Sequence, residues 1–580
     1  MTRLWNDPAD FADEMIDGFV AANARYVRRV TGGVVRTAPA PEGRVAVVVG
    51  GGSGHYPAFG GLVGAGLADG AAMGNLFASP STQQIHAVAR AAHGGGGVLF
   101  SYGNYAGDVL NFDAAQERLR AEGIACETVA VTDDIASASA DETHRRRGIA
   151  GDLTVFRSAA GAASAGYDLA GVARVARLAN DRTRSFGVAF SGCTLPGAPA
   201  PLFSVAEGRM AIGLGIHGEP GIDEAEVPTA DGLAELLVSR LLAERPDGAD
   251  GRVVPLLNGL GSLKHEEMFV VYRRIAQLLA EGGLEIIDPH VGEYCTSFDM
   301  AGTSLTLFWL DDELAELWET PVDTPAYRRG SVAPEASGRS PATAADADTG
   351  DTATAIVPGD NESQSVARLI VEVVDAAAGA VDTHVDDLGR MDAIAGDGDH
   401  GIGMQRGSHA ARAAAHESAA AGAGAATTLA RAADAWSDRA GGTSGALWGV
   451  ILTSVAGALG DTGRPDAAAV ANGVAAATRG VMSYGKAELG DKTMVDALVP
   501  FSAELTTAVA GGATLAEAWR SAASAATAAA AATAALLPRM GRARTHGQHS
   551  VGTPDPGAHS LALIVTAVGD VLTHHERTPS

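Results

Sequence analysis

The sequence is poor in cysteine, in basic residues and in long apolar runs, and each shortage removes a class of function. Cys126, Cys193 and Cys295 are its only cysteines, far apart and odd in number, so neither a disulfide framework nor a CxxC zinc site is encoded. That usage fits a reducing cytoplasm. Lys and Arg total 42 against 69 Asp and Glu, a formal net charge of −27, so a nucleic-acid backbone would be bound against the field of the whole molecule. No Walker A pattern, GxxxxGK[ST], occurs, so a nucleotide would have to be held through a metal ion and backbone donors. The opening "MTRLWNDPADFADEM" lacks the apolar stretch of a secretory signal. One uncharged run, "SAASAATAAAAATAALLP" at 521–538, reaches about the shortest membrane-spanning length. Alanine is weakly apolar and a strong helix former, so a packed helix of a soluble protein, with no membrane partner, is expected there.

What is present divides along the chain. With 580 residues and 46% apolar content, several cores are expected. Between residues 45 and 157 the apolar runs "VAVVVG", "GVLFSYGN", "CETVAVTDD" and "LTVF" alternate with helical compositions such as "STQQIHAVARAAH". This alternation predicts βα units around a largely parallel sheet. "RVVPLLNGLG" and "TSLTLFWLDD" add strands further on. Residues 329–361, rich in Pro, Ser, Thr, Asp and Gly, read as a flexible linker. Beyond 362 Ala-rich helical segments dominate, which predicts an α/β domain over 1–328 and an all-helical domain over 362–580.

In the helical part, "MDAIAGDGDHG" crowds Asp392, Asp397 and Asp399. Their carboxylates repel unless a cation neutralises them, and oxygen-only ligands suit Mg²⁺. The spacing of seven places Asp392 and Asp399 on one helical face, while an acidic helix cap without metal is the plain alternative. "GGTSG" at 441–445 offers backbone donors and two hydroxyls at a helix start, either a phosphate cradle or a simple N-cap. "KAELGDKTMVDAL" and "GRARTHGQHSVGTPDPGAHS" are the other polar, glycine-bearing interruptions, and the second could return arginine to a nucleotide.

In the α/β part, "GGGSGHYPAF" follows the first strand, with Asp69 further on. A dinucleotide fold fits poorly, because Tyr56 and Pro57 stand where a helix should receive a pyrophosphate. "YGNYAGDVLNF" supplies Asp108 after another strand, and "GLGIHGEPG" sets His217 between glycines that let a ligand approach closely. His55, Asp108 and His217 are therefore the nucleophile and acid/base candidates. A neutral imidazole can add to a ketone, tethering a small polar substrate while an aspartate takes a hydroxyl proton.

Taken in order, "GGGSGH", "FASPS", "GNYAGDVLNF", "GIHGEPG", "CTSFDMAGTSLTLFWLDDELAELWETPVDTPA", "GDGDHG", "GGTSGAL", "GDKTMVDAL" and "DPGA" strongly resemble the single-chain, ATP-dependent dihydroxyacetone kinase family. The resemblance implies a substrate domain of two α/β subdomains and an all-α nucleotide-binding helical barrel. It makes His217 the covalent ketose-binding residue, His55 and Asp108 its partners, and Gly51, Gly52 and Ser53 the loop over the substrate. Asp392, Asp397 and Asp399 would hold two Mg²⁺ ions on ATP, with His400, Ser408, Thr443, Ser444, Gly485, Met494, Arg542 and Asp555 around the nucleotide. It also implies a homodimer formed through the α/β domain. Where the family usually reads Glu-Pro-Ala-His after His55, this chain has "YPAF". That variant resembles the erythrulose kinase branch, implying D-erythrulose phosphorylated at O4, then L-erythrulose at O1 or dihydroxyacetone. A ketose sensor, a phosphoprotein-dependent transferase and an added FMN cyclase activity are rivals that the family also suggests. The fused helical domain with its aspartates favours a kinase.

Overall fold

The computed structural model describes residues 2–219, 221–249, 251–330, 356–394, 396, 398–540 and 550–577. The chain divides into two compact units, with the division between Thr349 and Gly350. Most of the stretch read as a linker lies outside the described residues, and helix begins at Asn361.

The first unit holds two main sheets. In one, the spatial order is Val27–Val30, Gly33–Arg36, Gly70–Leu76, Ala46–Ser53, Val98–Gly103 and Cys126–Val131. The last four strands run parallel, and an antiparallel hairpin forms the other edge. Ala46–Ser53 is buried along its whole length, as a continuous apolar run in a doubly covered parallel sheet should be. Its alternate side chains serve two cores. Ala46 and Val48 pack with Ile85, Phe112 and Leu119, whereas Val47 and Val49 pack with Val155, Phe156 and Ala176.

"LTVF" is not a strand. It lies in the helix Asp152–Ser164, buried on every side from Asp152 to Ala163. A helix without a solvent face shows no 3.6-residue period, and over four residues it is indistinguishable from a central strand. The strand Gly70–Leu76, "GAAMGNL", goes unread in the sequence because Gly and Ala carry no β signal.

The second sheet has the order Glu285–Ile286, Arg252–Gly259, Gly302–Trp309, Thr183–Ala189, Arg209–Ile212 and Asp223–Glu226, with His290–Gly292 also pairing with Arg252–Gly259. Unlike the first sheet it is mostly antiparallel. Helices Ala230–Leu242 and His265–Glu281 pack on it through Leu237, Leu241, Met268 and Ile275. Strand ends from both sheets deliver the loops that carry His55 and His217.

The second unit is helical. Asn361–Asp392, His400–Ala420, Ala425–Ala440, Gly442–Leu459, Ala467–Gly485, Val495–Ala510, Leu515–Ala532 and Pro556–Arg577 are its long helices among the described residues. Successive helices pack on one another, and Pro556–Arg577 returns against Asn361–Asp392. The first part of the uncharged alanine run, residues 521–532, falls in Leu515–Ala532, which buries Ala518, Ala522, Ala526 and Ala530. Gly442–Leu459 and Pro556–Arg577 are long and apolar enough to cross a membrane by length and composition. Their Trp448, Ile451, Leu561 and Ile564 belong to the core of this unit.

Candidate active site

The two candidate histidines meet. His55 follows strand Ala46–Ser53, His217 lies in the loop after Arg209–Ile212, and their Nε2 atoms are 3.0 Å apart. His55 Nδ1 lies 2.8 Å from the Thr296 carbonyl oxygen, and His217 Nδ1 lies 3.1 Å from Glu219 Oε1. A carbonyl and a carboxylate only accept, so each Nδ1 carries its hydrogen. The Nε2 pair can then share one further proton, which leaves one ring with a lone pair facing the site.

Aromatic rings hold this pair in place. Phe77 stacks on His55 at 4.9 Å and meets His217 edge-on at 5.3 Å, and Tyr105 also meets His217 edge-on at 4.5 Å. Tyr105 precedes the helix Ala106–Ala121, whose first turn carries buried Asp108. Gly51 and Gly52 lie where a side chain has no room. A Cβ on Gly51 would strike the Phe59 ring, and one on Gly52 would come within 2.7 Å of the Ala78 nitrogen. Buried Ser53 donates its hydroxyl to the Gly74 carbonyl at 2.6 Å, tying the loop to the neighbouring strand. A small cleft is lined by this loop with Met15, Tyr56, Phe59 and Met73.

The glycine loop is no dinucleotide site. Asp69 precedes strand Gly70–Leu76 and is spent on structure: it accepts from Val47 N at 2.9 Å and pairs with Arg36 and Arg44.

In the helical unit, Asp392 and Asp399 do not share a helical face. Asp392 ends one helix and Asp399 caps the next, because the intervening turn, with Gly398 at φ +79°, breaks the helix between them. The carboxylates are nevertheless crowded. Desolvation in the turn and then the charge of Asp392 hold the Asp399 carboxyl above the ordinary carboxylate range. Asp555 is pushed up to about 7, first by burial and then by Asp496 and Asp392. Its Oδ2 also accepts from Ala558 N at 2.7 Å. Asp399 and Asp555 offer oxygen donors of the kind a hard divalent cation takes, although no group of three metal-binding side chains forms among the described residues.

His400 joins the same region. Its backbone nitrogen donates to Asp392 Oδ2 at 3.3 Å, Nδ1 lies 3.3 Å from Ser444 Oγ, and Nε2 lies 3.0 Å from Ser560 Oγ. Burial lowers its pKa, which favours the neutral ring. Thr443 is exposed in the first turn of Gly442–Leu459, Gly485 ends its helix, and Met494 is buried before Val495–Ala510. Ser408 is buried, with its hydroxyl bonded to the Gln405 carbonyl at 3.0 Å. Asp397 and Arg542 lie outside the described residues.

Two family models match in order, the Dak1 domain over residues 17–326 and the DAK2 domain over 394–570. The chain belongs to the two-domain, ATP-dependent dihydroxyacetone and erythrulose kinase family. It is 58% identical over 576 residues to an L-erythrulose kinase of Pectobacterium atrosepticum, covering 99% of this chain and 97% of that one. A D-erythrulose kinase of Mycolicibacterium smegmatis is 53% identical over 575 residues, covering 99% of both. Among solved structures, the dihydroxyacetone kinase of C. freundii in complex with AMP-PNP and Mg²⁺ is 29% identical, with a TM-score of 0.52 over 98% of this chain and 99% of that one.

For this family member, sequence reasoning passed over several residues that the fold brings to the sites. Glu219 is within the quoted "GIHGEPG", Phe77 opens "FASPS" and Asp496 stands in "GDKTMVDAL", so the motif strings held the signal. Arg147, which lies 3.7 Å from Glu219, had no such signal.

Proposed function

We propose that the protein transfers the γ-phosphoryl group of ATP to a primary hydroxyl of a short-chain hydroxyketone, with L-erythrulose at O1 as the leading substrate and dihydroxyacetone next. The observation that carries this is the His55–His217 pair with Glu219 behind it. His217 Nε2 adds its lone pair to the ketone carbon as the C=O π pair moves to oxygen, and His55 Nε2–H supplies the proton to that oxygen. Glu219 keeps Nδ1–H and holds the ring plane. A molecule of four carbons buries little surface, so a covalent tether supplies the orientation that contacts alone would not. Asp108 then takes the proton of the hydroxymethyl group as its oxygen attacks the γ-phosphorus and ADP leaves.

In the helical unit Asp392, Asp399 and Asp555 would hold Mg²⁺, together with Asp397, and a cation there neutralises phosphate charge. His400, Ser444 and Ser560 form a hydrogen-bonded group beside them, suited to orienting a nucleotide.

The relatives weigh the substrate toward L-erythrulose, at 58% identity against 53% for the D-specific relative, and away from the D-erythrulose 4-kinase expected from "YPAF". The C1 hydroxymethyl ketone is also the part that erythrulose shares with dihydroxyacetone. The test is to incubate the protein with Mg-ATP and each of L-erythrulose, D-erythrulose and dihydroxyacetone, and to locate the phosphate by ¹H–³¹P correlation NMR. L-erythrulose should give the highest kcat/KM and a 1-phosphate. A preference for D-erythrulose, or phosphate at O4, would overturn the substrate assignment, and no ketose turnover would overturn the class.

A further inference from the structure

Behind the histidine pair lies a layer of buried charge of which the reaction above uses only Glu219. Arg147 sits in the segment between strand Cys126–Val131 and helix Asp152–Ser164. Its Nε and one terminal nitrogen donate to Asp134 Oδ2 at 3.1 and 2.8 Å, and its other terminal nitrogen lies 3.7 Å from Glu219 Oε2. Glu219 grips His217 twice, accepting from the backbone nitrogen at 3.0 Å and facing Nδ1 at 3.1 Å. The backbone of Arg147 is fixed as well, its nitrogen bonded to Ser137 Oγ at 2.9 Å and its carbonyl to Asp134 N at 3.0 Å. The side chains of Asp134, Glu219 and Arg147 are 2%, 7% and 13% exposed, so these charges act through protein more than through water.

A buried carboxylate against an imidazole favours imidazolium, and an imidazolium has no lone pair left at Nε2. We propose that Arg147 is a positioning residue for His217: anchored on Asp134, its guanidinium offsets the charge of Glu219, so that His217 keeps its hydrogen on Nδ1 and stays neutral at Nε2. The inference rests on the reading that His217 adds to the ketone.

The titratable groups around the ring come from several elements. They are His55 and Glu219 in direct contact, Tyr105 edge-on to the ring, Asp108 in the helical turn that follows Tyr105, Arg147 and Asp134 behind Glu219, and Cys295 near Tyr105. Burial raises both Tyr105 and Cys295 well above their usual values, so both stay neutral in the working range. Arg147 is the permanent cation of this set, and its removal should make His217 more basic.

The experiment is the pH profile of kcat/KM for the ketose in the full chain with Arg147→Met. The acid limb should move up by about one pH unit, lowering kcat/KM at pH 6.5 about tenfold with recovery by pH 9, while KM for ATP is unchanged. An unmoved acid limb in a folded variant overturns the proposal. Should Arg147→Met fail to fold, Arg147→Lys carries the test. Its point charge cannot grip both carboxylates, so a smaller shift in the same direction is expected, and no shift overturns the proposal.

A second readout separates this inference from the one beneath it. With [2-¹³C]dihydroxyacetone, the wild-type protein should convert the carbonyl resonance to an sp³ carbon, and the variant should do so at pH 9 but not at pH 6.5. A wild-type adduct, with a variant adduct of unchanged pH dependence, overturns the role of Arg147 alone. No wild-type adduct at any pH overturns covalent binding and this proposal together.

Discussion

Asp555→Asn should make the protein more stable at alkaline pH while it loses phosphoryl transfer. Burial and the neighbouring carboxylates raise the Asp555 carboxyl from the ordinary 3.8 to about 7. A folded value above the unfolded one means that the folded state binds the proton more tightly, so this stabilisation is present at low pH and is lost as pH rises through 7. The full gap corresponds to about 4 kcal/mol, of which about 2 kcal/mol falls between pH 5.5 and 8.5. Asparagine keeps the acceptor for Ala558 N and cannot ionise. The assay is thermal unfolding of the full chain in EDTA at both pH values. At about 2–4 °C per kcal/mol for a unit of this size, the wild-type Tm should fall about 4–8 °C further than that of the variant. Added Mg²⁺ should recover the wild-type Tm at pH 8.5 and have less effect on the variant. Equal pH dependence in the two proteins would refute the argument that unpaired negative charge is stored at this site.

Other substitutions probe the α/β unit. Asp69→Asn leaves Arg36 and Arg44, with side chains 5% and 11% exposed, without their shared counter-charge. A loss of about 3–5 kcal/mol is expected in urea unfolding, and a loss below 1 kcal/mol would show that water reaches those guanidinium groups. Tyr56→Glu combined with Phe59→His restores the usual family pair. Phe59 is buried beneath Gly51 whereas Tyr56 is 48% exposed, so the double change should move the kcat/KM ratio toward dihydroxyacetone. An unchanged ratio would exclude these positions as determinants of chain-length preference.

The sequence revealed the architecture where side-chain pattern alone decides it, and concealed it where a whole element is buried. Alternation of apolar runs with helices identified the parallel sheet, whereas Leu153–Phe156 looked like a strand because its helix has no solvent face. The glycines around His217 pointed to a ligand-accessible imidazole, and the structure places His55 against it. What spacing could not convey was support from distant segments: Thr296 on His55, Arg147 behind Glu219, and Ser560 on His400. Asp392 and Asp399 illustrate the converse. Their seven-residue spacing suggested one helix, yet a glycine turn separates two helices and the carboxylates still crowd each other.

The central claim is that one histidine and one carboxylate cluster together make a ketose kinase, and ketose-dependent ADP release from Mg-ATP tests it most directly in the wild type, His217→Ala and Asp399→Asn. The account expects turnover with L-erythrulose in the wild type, its loss by on the order of a thousandfold or more in both variants, and retained ATP binding in His217→Ala. Undiminished ketose turnover in His217→Ala would contradict it.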